Sequence, residues 1–174
     1  YTVPSGHNPT GVTVPEERKR QIYAVCQQHN VIILEDDPYY FLAMGEKTSN
    51  PLPVSYPSMD TDDRVIRLDS FAKIFAPGLR LGTVIAPPAF IQKFTIANEQ
   101  SSQFPCGLAQ TVAIALLREW GQKGFDAHLT NLQTDYLRRR NLLVDALNKE
   151  SAAIRQNNLL EFTIPSHGMF LFVK

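Results

Sequence analysis

A chain of 174 residues suffices for one domain, or for one domain and part of a second. Hydrophobic residues make up 44% and charged residues 20%, a balance that builds a packed core and excludes extended disorder. Lys plus Arg equals Asp plus Glu at 17 each, so charge gives no support to nucleic acid or an anionic membrane as a partner.

Tyr1-Thr2-Val3-Pro4 reads as a short strand, and residues 6–11 as a loop. A helix opens next, with Thr13 as N-cap, Pro15 at an early helical position and Glu16 closing a capping box. Ile22, Val25, Cys26 and His29 recur at helical spacing along it. Val31-Ile32-Ile33-Leu34 is an unbroken apolar run, as expected of a parallel strand covered on both faces, and it ends in Glu35-Asp36-Asp37. A polar, Pro-rich excursion occupies residues 45–63. Strands follow at 64–68 and 82–86, the second stopped by Pro87-Pro88.

Two or more helices are expected over 89–150, interrupted near Gly121 and Gly124. Leu108, Val112, Leu116 and Trp120 form one apolar stripe, and Phe125, Leu129, Leu132, Tyr136, Leu143 and Leu147 another. Final strands at 160–164 and 169–173 read as the start of a smaller unit. The alternation predicts a three-layer α/β architecture, a mostly parallel sheet between helices, followed by the beginning of a small α+β domain. The expected division is 1–125 for part of a large domain, then 126–174 for a long connecting helix and the start of a C-terminal domain. Sheets of this kind bind ligands beyond the carboxyl ends of their strands.

Cys26 and Cys106 read as reduced, partly buried thiols. The four histidines show no ligand spacing, so no metal site is expected. No segment is apolar for long enough to span a bilayer, and a cytoplasmic location is expected. The chain opens without Met and closes inside a strand-like run, so a fragment of a longer chain is expected.

Four groups of residues carry chemistry: Gly6-His7-Asn8-Pro9-Thr10-Gly11, Glu35-Asp36-Asp37-Pro38-Tyr39-Tyr40, Asp69-Ser70-Phe71-Ala72-Lys73, and Pro77-Gly78-Leu79-Arg80-Leu81-Gly82. Taken singly, the first is a turn and the second a solvated strand end. Lys73 is less ordinary, because a lysine among Phe, Ala and Ile either snorkels to the surface or serves as a desolvated amine suited to Schiff-base chemistry. In this order the four groups resemble the class I/II, fold type I aminotransferases that use pyridoxal 5′-phosphate. The flavour is that of the aromatic, 2-aminoadipate and kynurenine branch, to which Gly168-Met169-Phe170-Leu171-Phe172 is also similar.

The resemblance implies a function: transamination of an aromatic or 2-aminoadipate-like amino acid with a 2-oxo acid such as 2-oxoglutarate. It assigns Lys73 as the Schiff-base lysine and proton carrier, and Asp36 as partner of the cofactor's pyridine nitrogen. Tyr39 and Asn8 would bond its phenolic oxygen, and Ser70 and Arg80 its phosphate. Asp37 with Tyr40 is the alternative register to Asp36 with Tyr39. Ala72 departs from the pattern, since relatives often place Ser before the lysine; the lost hydrogen bond is worth about 1 kcal/mol. His7 reads as a loop stabiliser, and Arg138-Arg139-Arg140 as a solvated run. The resemblance further implies a homodimer. It also implies a phosphate-binding turn before Tyr1 and a substrate-carboxylate arginine after Lys174, so this stretch alone is expected to be inactive or nearly so. Two other readings stay open: the aminotransferase-like sensor domain of a winged-helix transcription regulator, and a lyase or synthase of the same fold.

Overall fold

Burial alternates along the strand that ends in the acidic run. Ile33, Glu35, Asp37 and Tyr39 are buried, while Leu34, Asp36, Pro38 and Tyr40 are half-buried. This period of two turns Asp36 and Asp37 to opposite faces. The computed structural model describes residues 1–45, 52–153 and 160–174. Its strands β1 (Ile33–Asp36), β2 (Val65–Ser70) and β3 (Gly82–Ile85) form one sheet in the order β1-β2-β3. β1 and β2 are parallel, with Asp36 opposite Leu68; β2 and β3 are antiparallel, with Ser70 opposite Gly82. Thr2 bridges Glu35 in parallel on the outer side of β1, so the first segment runs beside the sheet where a strand was expected.

Helix α1 spans Glu16–Gln28, α2 Pro88–Gln100 and α3 Gly107–Ala153. Pro15, not Thr13, is the N-cap of α1, and no side chain caps it; the Thr13 hydroxyl instead accepts from the Gly6 amide at 3.1 Å. The apolar stripe expected on α1 is not its buried face. Val25 is 57% exposed, and Lys19 and Tyr23 turn inward, because Lys19 donates to the Val54 carbonyl at 2.7 Å and Tyr23 packs with Ile33, Tyr56 and Val65. The stripe on the first half of α3 holds in part: Leu108 and Val112 are exposed and Ala113 is buried, while Leu116 and Trp120 are half-buried and Trp120 stacks on Phe75. The second stripe holds through Phe125, Leu129, Leu132 and Tyr136; beyond it Val144 is buried in place of Leu143. The expected interruption falls at Gly121, with φ 55° and ψ −170°.

The 45–63 excursion contains a 3₁₀ turn at Tyr56–Met59, and residues 46–51 of it lie outside the described residues. The two closing strands reduce to a bridge between Phe162 and Val173, with a second bridge tying His167 to Ala43. Cys26 is half-buried and Cys106 exposed; both are free thiols.

Two glycines join the chain's first and last segments. A Cβ on Gly168 (φ +80°) would lie 2.8 Å from the Gly6 carbonyl oxygen, and one on Gly6 (φ +57°) 2.6 Å from Gly168 Cα. Left-handed strain and overpacking together predict that Gly168→Ala destabilises by about 3 kcal/mol. Urea denaturation checks this; a midpoint equal to wild type would refute it.

Candidate functional site

Asp36 ends β1 and Ser70 ends β2, so the parallel pair delivers both to one edge of the sheet. β3 starts at that edge because it runs antiparallel, which brings Arg80, two residues before it, to the same end. Between β2 and Arg80, residues 71–75 form a turn in which the Ile74 and Phe75 amides donate to the Phe71 carbonyl. Ile74 is buried with Tyr39, Leu42 and Leu129, and that anchor fixes the neighbouring Lys73. Phe71, Phe75, Trp120 and Phe125 continue the packing beneath the turn. His128 closes it with a 2.6 Å contact to the Ile74 carbonyl.

The Lys73 ammonium lies 5.8 Å from the Tyr39 ring centroid, and among the described residues it makes no ion pair. Tyr39 is buried and meets Phe170 edge-on at 5.3 Å. Burial raises the Tyr39 phenol's pKa, a hydrogen bond with Asn8 opposes this, and the Asp36 charge adds to it. The phenol therefore stays protonated at neutral pH and can donate. Asp36 accepts a 2.5 Å hydrogen bond from Tyr1, whose ring is 79% exposed. Asn8 is exposed on its loop, where His7 Nδ1 meets Thr10 Oγ1 at 2.9 Å, so His7 does stabilise the loop.

Asn8, Asp36, Tyr39 and Lys73 are thus brought together around one ring. Ser70 accepts from the Ala72 amide at 3.2 Å, and the hydroxyl stiffens the lysine turn. Arg80 is exposed, left-handed at φ 49°, and donates to the Pro77 carbonyl at 3.4 Å. Two cavities are lined by none of Asn8, Asp36, Tyr39, Ser70, Lys73 or Arg80 themselves, though Thr10 shares the Asn8 loop and Phe170 meets the Tyr39 ring. One of ≈340 Å³ is lined by Met44, Tyr136 and Phe170 among others, and one of ≈460 Å³ by Thr10, Val12 and Phe162 among others.

Other polar residues here were not legible in advance. Arg140 does not join its solvated neighbours; it donates to the carbonyls of Met44 and Pro165 and ties the C-terminal segment to the turn after β1. Arg138 and Arg139 pair with Asp135 at the surface. Behind the sheet lies a closed set of buried ionisable groups: Lys19, Glu35, Asp37, Arg67 and His167. Arg67 reaches Glu35 at 3.3 Å, Asp37 at 3.7 Å and Asp69 at 2.8 Å, and the Tyr40 ring stacks on its guanidinium at 4.3 Å. The i, i+2 spacing of Glu35 and Asp37 was the one signal for this set in the sequence.

No helix among the described residues is long and apolar enough to cross a membrane. The family model for aminotransferase class I and II matches residues 2–174. The chain belongs to that family. It is 41% identical to the L-tyrosine:2-oxoglutarate aminotransferase amt1 of Serpula lacrymans, covering all of this chain and 36% of that protein. It is 38% identical to the rat mitochondrial kynurenine/α-aminoadipate aminotransferase, again along its whole length and over 39% of the relative. The α-aminoadipate aminotransferase LysN of Thermus thermophilus, solved with N-(5′-phosphopyridoxyl)-L-leucine, superposes with a TM-score of 0.86 at 27% identity, covering 100% of this chain and 42% of that one. The chain therefore spans about two fifths of the length of these aminotransferases.

Proposed function

We propose that the protein carrying this chain transfers the amino group of an aromatic or 2-aminoadipate-like amino acid to a 2-oxo acid such as 2-oxoglutarate, using pyridoxal 5′-phosphate held by Lys73. The observation that carries this reading is the Lys73 amine over the Tyr39 ring, free of any carboxylate among the described residues, with Asn8 and Asp36 beside it. The names of the relatives support the choice of substrates.

The donor set fits the cofactor's polar groups. Asp36 suits the pyridine nitrogen because it is half-buried and its described partner is a neutral donor, the exposed Tyr1 phenol, rather than a fixed cation. Asp37 does not suit it, since Ser5 and Arg67 already engage it on the closed face. Tyr39 and Asn8 supply donors for the phenolic oxygen. Ser70 and Arg80 supply a hydroxyl and a charge-assisted donor for the phosphate. When bound, the cofactor provides the electron sink for the charge left on the substrate α-carbon. The Lys73 amine would take and return that carbon's proton. Asp36 would keep the ring nitrogen protonated, and Arg80 would hold the phosphate. The large-domain role of residues 1–125, the connecting role of 126–174 and a homodimeric working unit belong to the same proposal.

A panel of amino donors with 2-oxoglutarate tests it. Glutamate should form fastest from aromatic amino acids and 2-aminoadipate. Failure to form glutamate from any donor would exclude transamination.

A further inference from the structure

Asp37 follows Asp36 but faces the closed side of the sheet, and it is 1% exposed. Its Oδ2 accepts from the Ser5 hydroxyl at 3.0 Å. Among the described residues its Oδ1 is buried without a hydrogen-bond partner, and so is His167 Nε2; the other ring nitrogen of His167 meets Ser166 Oγ at 2.9 Å. Both groups lie within the field of Lys19. Ser5 begins the loop that continues through Gly6 and His7 to Asn8, and Gly6 sits backbone to backbone on Gly168, next to His167. Asp37 therefore stands where the Asn8 loop, the C-terminal segment and the end of β1 meet.

We propose that Asp37 is a positioning residue: through Ser5 it holds the loop that carries Asn8, at the point where Gly6 of that loop packs on Gly168 of the C-terminal segment, so that Asn8 meets the cofactor's phenolic oxygen at the right place. The inference rests on the cofactor reading above. The groups facing Asp37 are Ser5 from the Asn8 loop, Lys19 from α1, Glu35 from β1, Arg67 with Asp69 behind it from β2, and the Tyr40 ring over Arg67. Two cations thus face three carboxylates. Burial, with Glu35 adding and Arg67 opposing, pushes Asp37 up to about 7, so it is largely protonated at slightly acid pH. Either protonation state keeps an oxygen for Ser5. The latch therefore depends on that oxygen rather than on charge.

The test compares Ser5→Ala, Asp37→Ala and Asp37→Asn in the cofactor-loaded protein. It reads the pH midpoint of the cofactor's visible absorbance band and the Kd for pyridoxal 5′-phosphate. Donors on the phenolic oxygen favour its anionic form and lower that midpoint, so loss of the latch raises it. Ser5→Ala and Asp37→Ala should raise the midpoint and weaken cofactor binding about tenfold. Asp37→Asn, which keeps an acceptor for Ser5, should remain near wild type. Should Asp37→Ala fail to fold, Ser5→Ala carries the comparison alone. Variants that melt lower yet keep the wild-type midpoint and Kd would reduce Asp37 to a packing role and overturn the proposal. A wild-type protein with no band, or a band that survives Lys73→Ala, would overturn the cofactor reading itself, and this inference with it.

Discussion

Replacing Lys73 by alanine should abolish the visible absorbance band that pyridoxal 5′-phosphate acquires on attachment and slow amino transfer by on the order of 10⁴-fold or more. One side chain does two jobs in the proposed reaction, covalent holding and proton transfer, and alanine removes both. Lys73→Arg should not rescue either, since a guanidinium remains protonated and cannot condense with an aldehyde. Stability should change by less than about 1 kcal/mol, because Lys73 is half-buried and its one described contact is the distant face of Tyr39. Absorbance spectra, steady-state rates and thermal melts separate these effects. A Lys73→Ala protein that keeps the band, or a rate within tenfold of wild type, would refute the assignment.

Arg67→Ala should cost about 3–5 kcal/mol of folding stability, the effect of stripping a buried ion pair of one partner. The Arg67 side chain is 7% exposed and is shared by Glu35, Asp37 and Asp69, of which the first two are fully enclosed. Its carboxylate neighbours hold its pKa above the usual arginine value, against the effect of burial. Removing it leaves Lys19 alone to balance the cluster, and Lys19 is bonded to a backbone carbonyl. The stack on Tyr40 disappears as well. Arg67→Lys should recover only part of the loss, because an ammonium cannot span carboxylates from both strands and stack on a ring at once. Chemical denaturation with an unchanged m-value measures the loss; a cost below about 1 kcal/mol would show that the cluster is not held by this guanidinium.

The edge of the sheet was legible because its signals are local. A four-residue apolar run ending in Glu35-Asp36-Asp37, a Ser70 three residues before Lys73, and a glycine at 121 that no straight helix accommodates each need only their sequence neighbours. Asn8, Asp36, Tyr39 and Lys73 are marked by their order along the chain, and Asn8, Asp36 and Lys73 all neighbour Tyr39. The antiparallel course of β3 was not legible, since residues 82–86 are as apolar as a parallel strand would be. Thr13 has the chemistry of a cap, but a partner seven residues away in sequence, Gly6, takes its hydroxyl. Lys19 and Arg140 break the rule that cations face water because their acceptors are backbone carbonyls 35 or more residues distant in the cases of Val54 and Met44. Apolar periodicity carries no information about such contacts. Val25 on α1 and Leu108 and Val112 on α3 are exposed, so helical spacing alone did not mark a buried face at these positions.

Asp37 and His167 also change what folding does to protons. Burial lifts Asp37 from 3.8 to about 7 and depresses His167 from 6.5 to about 4. Taken alone, the raised carboxyl would lose stability as pH climbs through that window, and the depressed imidazole would lose it as pH falls. Between about pH 4 and 6.5 the two slopes oppose each other. The unfolded chain carries its proton on the histidine and the folded chain carries one on the aspartate. Folding in mildly acid solution then moves a proton from one side chain to another without exchanging any with the solvent, and this pair leaves stability flat where either residue alone would tilt it.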